Sequence, residues 1–258
     1  METKILKELI KKQDFVYGII LQVIDPDITE SIALSGFDFI ILDLEHTGKS
    51  IDTAYPCIMA AFAHNVPVLI RTTDKNQYMI EQALDAGCQG VLVPTVETAE
   101  DCRNIVKAAK YAPLGTRGYC PMTATMRWLP PAPDTVSYAR EANKNTFVMV
   151  LIETPEGIKN LPEMLKVDGI DAFQLGPADY GLRVGKDLWD SEVEKTLSDA
   201  ADLITRMGKT CISVSLPENF AEMHKKGAKV VVIGTSVDMV LRETYSNYKK
   251  EFLKIVKS

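Results

Sequence analysis

Residues 36–50 read GFDFIILDLEHTGKS, an apolar run followed at once by a polar turn. The run Phe37–Leu42 has the nearly continuous apolar character of a strand that is buried on both faces, as strands are in a parallel sheet covered by helices. The polar residues Asp43–His46 then stand at the carboxyl end of that strand, where α/β proteins place their functional side chains. Other apolar runs that are followed by polar residues indicate the fold and the position of the site.

Seven further short apolar runs lie elsewhere in the chain, and segments of helical period separate most of them. Helix start signals precede several of these segments: Thr98 and Asp101 form a capping box, and Pro155 follows Thr154 at the first helical position. The predicted strands are residues 16–23, 37–42, 67–70, 90–93, 146–152, 170–175, 210–214 and 229–233. The predicted helices are residues 27–33, 51–63, 76–86, 98–109, 155–165, 191–207, 217–225 and 237–256.

Eight such units in 258 residues predict an α/β fold of the (β/α)8 TIM barrel type, in a single domain spanning residues 1–258. An open doubly wound sheet is the weaker alternative, because no GxGxxG or GxxxxGKS/T sequence follows any run. Residues 111–133 form a segment too long for a plain connection. It is either a surface excursion or a lid or interface segment that completes a site.

The composition excludes several classes of protein. With 29 basic and 35 acidic residues, the formal net charge of −6 offers no basic surface for nucleic acid. No apolar run reaches the ~18 residues of a membrane-spanning helix. The first residues lack the apolar centre of a signal peptide, so we expect a cytoplasmic protein that does not enter a membrane. The five cysteines are scattered without a CxxC pair, which predicts neither a disulfide framework nor a zinc site.

Polar residues that end the apolar runs are the candidates for chemistry. Glu153 and Asp179 close two successive runs, and their carboxylates match the oxygen ligands that Mg²⁺ or Mn²⁺ prefers. His46 is the one histidine directly after a run and is the candidate acid or base. Arg71 can stabilise a developing oxyanion. Each has a structural alternative: a salt-bridged acid, a histidine bonded to a backbone carbonyl, or an arginine paired with a strand-end acid.

Six blocks of sequence, taken together, resemble the HpcH/HpaI family of class II, pyruvate-dependent aldolases, within the phosphoenolpyruvate/pyruvate barrel superfamily. They are GFDFIILDLEHTGKS (36–50), PVLIRTTD (67–74), IEQALDAGCQGVLVPTVETAEDC (80–102), PLGTRGYC (113–120), VLIETPEGIKNLPEML (150–165) and GIDAFQLGPADYGLRVG (169–185). No single block is specific, but their order and spacing are. The similarity extends over nearly the whole chain.

The resemblance implies roles for the residues already singled out. Glu153 and Asp179 match the acids that ligate the metal. His46 matches the catalytic acid or base, and Arg71 matches the residue that contacts the pyruvyl oxygen.

The same resemblance adds further site residues. Asp85 matches the acid that orients the catalytic histidine, and Asp43 matches another acidic position of the site. The turn formed by Gly176, Pro177, Ala178 and Asp179 resembles the segment whose backbone N–H groups receive the substrate carboxylate, as a helix N-terminus can. Val214 matches a position that shapes aldehyde selectivity.

The implied reaction is the reversible cleavage of a 4-hydroxy-2-oxo acid to pyruvate and an aldehyde through a metal-bound enolate. The implied cofactor is a divalent cation, Mg²⁺, Mn²⁺ or Co²⁺. The partners are the small 2-oxo acid and aldehyde substrates, with no nucleic acid. Similar proteins form trimers or hexamers with exchanged C-terminal helices, a role that residues 237–256 would fill here.

Three departures from the family pattern concern substrate choice. Leu151 stands where similar sequences commonly have Gln, Leu44 stands where a small residue is common, and Tyr180 follows the metal-binding aspartate where Leu is usual. None removes a catalytic group. A decarboxylase or lyase of another, oxaloacetate-like 2-oxo acid therefore stays open as an alternative on the same site. A barrel that binds a small acid without turnover is the remaining alternative.

Overall fold

The structure is a computed structural model that describes residues 4–127, 134–215, 229–233 and 236–257. Its centre is a closed barrel in which each strand pairs in parallel with the next along the chain and the last pairs with the first. The strands are β1 Val16–Leu21, β2 Phe39–Asp43, β3 Val68–Arg71, β4 Gly90–Val93, β5 Phe147–Ile152, β6 Ala172–Leu175, β7 Thr210–Ser215 and β8 Val230–Ile233. The predicted (β/α)8 barrel and its eight strands are confirmed.

Helices surround the barrel. They are α1 Leu6–Lys12, α2 Pro26–Leu34, α3 Ile51–Ala63, α4 Gln77–Asp85, α5 Ala99–Ala109, α6 Thr135–Asn145, α7 Pro155–Met164, α8 Pro177–Arg183, α9 Ser191–Arg206 and α10 Val237–Lys257. Both start signals act as predicted, because Thr98 accepts a hydrogen bond from the amide of Asp101 at 3.0 Å and Thr154 accepts one from Gly157 at 2.9 Å. The helices α1, α6 and α8 were not predicted. The helix predicted at 217–225 lies outside the described residues.

The core has two layers, one inside the barrel and one between the barrel and the helices. On β5, Met149 and Leu151 belong to the inner layer, whereas Val150 and Ile152 belong to the outer one. This alternation follows from the two-residue period of a strand. Because both faces are buried, the strands read as the continuous apolar runs that made them predictable.

Helix α1 closes the amino-terminal end of the barrel. Leu6 is 1% exposed and packs in the inner layer. Its backbone amide donates to the side chain of Gln89 at 3.2 Å, and the same side chain donates to the carbonyl of Lys4 at 2.7 Å. The opposite, carboxyl-terminal end of the strands is left for the site.

Helix α10 is 21 residues long and carries exposed apolar side chains, among them Tyr245, Phe252 and Ile255. Within the described ranges, no helix combines the length and the apolar character that crossing a bilayer requires.

Candidate active site

A buried ion pair joins the ends of β2 and β3. These strands place Asp43 and Arg71 side by side as register partners. The Arg71 guanidinium donates to both carboxylate oxygens of Asp43, with Nε 2.8 Å from Oδ1. Burial opposes ionisation of Asp43, but the bond and charge of Arg71 prevail and hold its pKa below the usual value. The pair therefore fixes the plane of a permanent positive charge at the mouth of the barrel.

The turn after β2 brings two more titratable side chains to this charge. The Oε2 atom of Glu45 lies 3.4 Å from Nη1 of Arg71 and 3.6 Å from Nε2 of His46. Burial and the nearby charge of Glu153 raise the pKa of Glu45. The His46 side chain is 52% exposed, so a ligand entering from solvent can reach it.

Glu153 follows β5 and is held by an unusual residue. The backbone amide and the hydroxyl of Thr95 both donate to Oε1 of Glu153, at 2.8 and 2.9 Å. Thr95 has a φ of 52°, in the left-handed region that a β-branched residue rarely adopts. Burial, opposed by these hydrogen bonds, raises the pKa of Glu153, and the charge of Asp179 adds to the rise.

Asp179 lies in the first turn of α8, which begins directly after β6. Gly176 precedes that helix, and a Cβ at this position would lie 2.7 Å from the Cβ of Glu153 and 3.0 Å from its Oε2. Glycine is therefore required for the close approach of the turn to the carboxylate. Pro177 and Ala178 complete the turn at the helix start.

The carboxylates of this region fit a hard divalent cation. The charge of Glu153 acts on Glu45 and the charge of Asp179 acts on Glu153, and Oε2 of Glu45 is buried without a hydrogen-bond donor in the described structure. A cation bound to these carboxylates would relieve this repulsion, and carboxylate oxygens are the donors that a hard cation prefers. No cluster of three or more His, Cys, Asp or Glu side chains close enough to enclose a metal occurs among the described residues. The donor set thus fits Mg²⁺, which commonly takes only one or two protein carboxylates.

Asp85 lies at the other end of the barrel. It is the last residue of α4, which descends from the carboxyl end of β3 towards the amino-terminal end of β4. Its carboxylate accepts a bond from Arg117 at 2.6 Å, and in the part of the chain that the structure describes no hydrogen bond or ion pair joins it to His46. Within one chain, Asp85 is not placed to orient His46.

The described part of the long loop packs at this same end. The hydroxyl of Thr125 donates to the carbonyl of Leu84 in α4 at 2.6 Å, and the amide of Arg117 donates to the carbonyl of Lys110 after α5 at 2.9 Å. The described residues of the loop therefore do not form a lid over the site of their own barrel. Residues 128–133 lie outside the described residues, and the role of the loop at an interface stays a prediction.

The positions that the resemblance links to substrate choice lie near the carboxyl-terminal mouth of the barrel. Val214 is on β7 and is 38% exposed. Leu151 faces the barrel interior, next to Gly176 and Glu153. Leu44 is buried in the outer layer, so its size affects packing behind the site more than the pocket itself.

The sequence analysis assigned no individual role to Glu45 and Thr95 at this mouth, nor to the buried Gln174 on β6. Glu45 follows an apolar residue and gains its role only from the nearby Arg71. Thr95 is identified by its backbone conformation, which has no simple sequence signal. Gln174 is a polar residue inside an apolar run, and that interruption of the pattern could have revealed it.

Comparisons with known proteins agree with this geometry. The family described as HpcH/HpaI aldolase/citrate lyase matches residues 17–242. The chain is 30% identical to a hydroxypyruvate/pyruvate aldolase of Roseovarius nubinhibens over 96% of this chain and 98% of that one. It is 33% identical to a 4-hydroxy-2-oxo-heptane-1,7-dioate aldolase of Klebsiella pneumoniae, over 83% and 80%. Among solved structures, citrate synthase SbnG superposes with a TM-score of 0.87 and 26% identity, over 97% and 98% of the two chains.

Proposed function

The chain belongs to the HpcH/HpaI aldolase/citrate lyase family, and from this premise we propose that it is a class II aldolase, a carbon–carbon lyase. It reversibly cleaves a 4-hydroxy-2-oxo acid to pyruvate, or a related 2-oxo acid, and an aldehyde. The observation that carries the proposal is the convergence of Arg71 with the carboxylates of Glu45 and Glu153 at the mouth of the barrel. A fixed positive charge beside acidic oxygen ligands suits a reaction that passes through an enolate.

Glu153 and Asp179 are the residues that would hold a divalent cation, with Mg²⁺, Mn²⁺ and Co²⁺ as candidates. Such an ion supplies Lewis-acid stabilisation to the oxygens of a 2-oxo acid. Thr95 directs one oxygen of Glu153 through two hydrogen bonds, so the other oxygen is left for the ligand. This division of the two oxygens supports the assignment, since supporting hydrogen bonds of this kind orient metal ligands.

Arg71 stabilises the negative charge that develops on the carbonyl oxygen of the substrate. Asp43 orients Arg71 and cannot itself act as a base while it is bound in this pair. The Gly176–Asp179 turn receives the substrate carboxylate through the backbone N–H groups of Ala178 and Asp179, which lie at the start of a helix. Pro177 has no N–H group, and that of Gly176 donates to the carbonyl of Ile152 at 3.0 Å.

His46 acts as the general base of the reaction. In the cleavage direction it removes the proton of the C4 hydroxyl, directly or through a water molecule. The C3–C4 bond then breaks, the aldehyde leaves, and the electron pair forms the enolate of the 2-oxo acid. Protonation at C3 completes the product. The exposure of His46 supports this role, because the aldehyde half must enter and leave on that side.

Proton exchange at C3 tests the proposal without a guess about the aldehyde. Chelator-stripped protein is incubated with pyruvate in D₂O, each cation is added in turn, and loss of the methyl proton signal is followed by NMR. We expect exchange that depends on the cation and falls at least about a hundredfold in Glu153→Ala and Asp179→Ala. No exchange with any of the three cations would contradict pyruvate enolate chemistry.

The donor and the reaction beyond the enolate are separate questions. Pyruvate and hydroxypyruvate are the donors to compare, because a relative carries both in its name. Oxaloacetate decarboxylation is the second candidate, since the same Arg71 would stabilise the same enolate. A product assay with oxaloacetate distinguishes the two.

The protein acts as a homo-oligomer in this proposal, as a trimer or hexamer in the cytoplasm. Two features support an assembly: the apolar side chains exposed on α10 and the placement of Asp85 at the end of the barrel opposite to its own His46. If Asp85 orients a catalytic histidine, that histidine belongs to a second copy of the chain. Five free cysteines in the chain are consistent with a reducing compartment.

A further inference from the structure

The side chain of Gln174 is a buried polar group that the proposed mechanism does not use. Gln174 lies on β6 and is 4% exposed. Its neighbours Phe173 and Leu175 belong to the outer layer and Ala172 to the inner one, so the strand alternation turns Gln174 into the barrel. In the described structure no donor reaches its Oε1 atom.

Gln174 lies at the floor of the candidate active site. Its register partner on β5 is Leu151, and the next inward-facing residue beyond Leu151 is Glu153. On β6 itself the next inward-facing residue is Gly176, in close contact with Glu153. The amide therefore lies below the turn that carries Asp179 and beside the proposed metal ligands.

The amide lies beside one of the departures from the family pattern, Leu151. Similar sequences commonly carry Gln at the place of Leu151, and here the amide stands on the neighbouring strand at the paired position. The site thus keeps one amide at its floor, displaced by one strand around the barrel.

The unpaired oxygen defines what the amide can recognise. More than about nine tenths of buried polar groups in proteins have a hydrogen-bond partner. No donor among the described residues reaches this oxygen, so a bound ligand can supply the missing donor. The carboxylate and carbonyl oxygens of a 2-oxo acid are acceptors and cannot supply one. Arg71 directs its guanidinium to Asp43 and Glu45. A hydroxyl group on C3 is the donor that the 2-oxo acid half can offer.

We propose that Gln174 is a specificity residue that accepts a hydrogen bond from a C3 hydroxyl, so that the site prefers a 3-hydroxylated 2-oxo acid over pyruvate. This inference rests on the proposed function for the orientation of the 2-oxo acid. A buried acceptor left unpaired by pyruvate is the physical reason for the preference, because sites built around a substrate hydroxyl reject the analogue that lacks it.

Two measurements test the proposal, and one of them does not depend on turnover. Glycerate and lactate differ by the same C3 hydroxyl as hydroxypyruvate and pyruvate, and neither forms an enolate. Calorimetric titration of the Mg²⁺-loaded protein is expected to show about tenfold tighter binding of glycerate than of lactate. Gln174→Met should abolish that preference while lactate affinity stays within about twofold. Gln174→Leu serves as a second apolar variant.

The second measurement is C3 proton exchange with both 2-oxo acids. The ratio of kcat/KM for hydroxypyruvate to that for pyruvate should fall about tenfold in Gln174→Met. Ile212→Val is the matched control, because Ile212 is the register partner of Gln174 on its other side and also faces the interior. It should keep the wild-type ratio.

The outcomes separate the two proposals. A wild-type protein that exchanges both acids but binds glycerate and lactate equally would overturn the role of Gln174 alone. So would a preference that survives in Gln174→Met and Gln174→Leu, or one that is lost equally in Ile212→Val. Absence of exchange in the wild type would overturn the proposed function, while the glycerate and lactate titrations would still decide whether Gln174 reads a hydroxyl.

Discussion

One residue at the mouth of the barrel, Thr95, has a strained backbone conformation. Thr95 holds a left-handed backbone conformation that costs roughly 1–3 kcal/mol for a residue of this kind. The structure around it compensates by giving Glu153 two hydrogen bonds. Strain retained at such a position is understandable if one oxygen of Glu153 must be held in a fixed direction.

The ion pair between Asp43 and Arg71 gives a prediction about pH. Replacing Asp43 with Asn leaves a buried guanidinium without its counter-charge, so we expect Asp43→Asn to lower the free energy of unfolding by about 3 kcal/mol at pH 7. Arg71 lowers the pKa of Asp43 in the folded protein. The ionised carboxylate therefore stabilises the fold at all pH values above its unfolded pKa of about 3.9, and this contribution is lost only as the pH falls below that value.

Urea unfolding of wild type and Asp43→Asn at a series of pH values measures this difference. It should be constant from pH 7 to about pH 5 and should shrink below about pH 4. Asp52→Asn, a change of the same kind on the exposed first turn of α3, is the control and should stay within about 0.5 kcal/mol. A difference that already disappears between pH 7 and pH 5 would mean that the pKa of Asp43 is raised.

Burial of the strands explains which elements and site residues could be predicted from the sequence. Most strands were predictable because they are buried on both faces and read as apolar runs, although Tyr17 on β1 and Val214 on β7 are exposed. Asp43, Arg71, Glu153 and Asp179 were found because residues at strand ends meet at one mouth in a closed barrel. No individual role was predicted for Glu45, Thr95 or Gln174, because their roles depend on a neighbouring charge, a backbone angle and a register partner, all of which exist only after folding.

Helix α1 was also not predicted from the sequence, and its packing leads to a second prediction. Its amphipathic residues indicate no particular partner until the barrel provides an open end for Leu6 to fill. Truncating a fully buried leucine leaves a cavity, so Leu6→Ala should lower the free energy of unfolding by about 3 kcal/mol. Because α1 lies at the end opposite to the site, the C3 exchange rate of the folded variant should match that of wild type.

Urea unfolding and the exchange assay on the same preparation check both halves of this prediction. Lys12→Ala, on the exposed side of α1, is the matched control and should change stability by less than about 0.5 kcal/mol. A Leu6→Ala protein with normal stability would show that α1 does not close the barrel in solution. If folded Leu6→Ala protein exchanged the C3 protons more slowly than wild type, the two ends of the barrel would be coupled.

In one chain, Asp85 and His46 lie at opposite ends of the barrel. The pairing of Asp85 with a catalytic histidine, which the family resemblance implies, is therefore compatible with the structure only between two chains of an assembly. His46 lies beyond the carboxyl end of β2, and Asp85 lies at the far end of α4. The loop residue Arg117 holds Asp85 in place at 2.6 Å, so a long excursion of the side chain to its own site would break a largely buried ion pair. In the proposed assembly, a neighbouring copy that docked this end onto the mouth would bring the two residues together.

Mixing two inactive variants tests this arrangement. We expect His46→Ala and Asp85→Ala each to lower cleavage about a hundredfold or more, the usual effect of losing an acid–base group. When the two variants are unfolded together and refolded as mixed oligomers, about one quarter of the sites should combine an intact His46 with an intact Asp85 from a neighbour. Activity should rise accordingly.

A mixture of His46→Ala with Glu153→Ala is the control and should recover nothing, because both residues belong to the mouth of one chain. If the first mixture also stays inactive, Asp85 does not act across an interface, and a fully active Asp85→Ala would remove it from the site altogether.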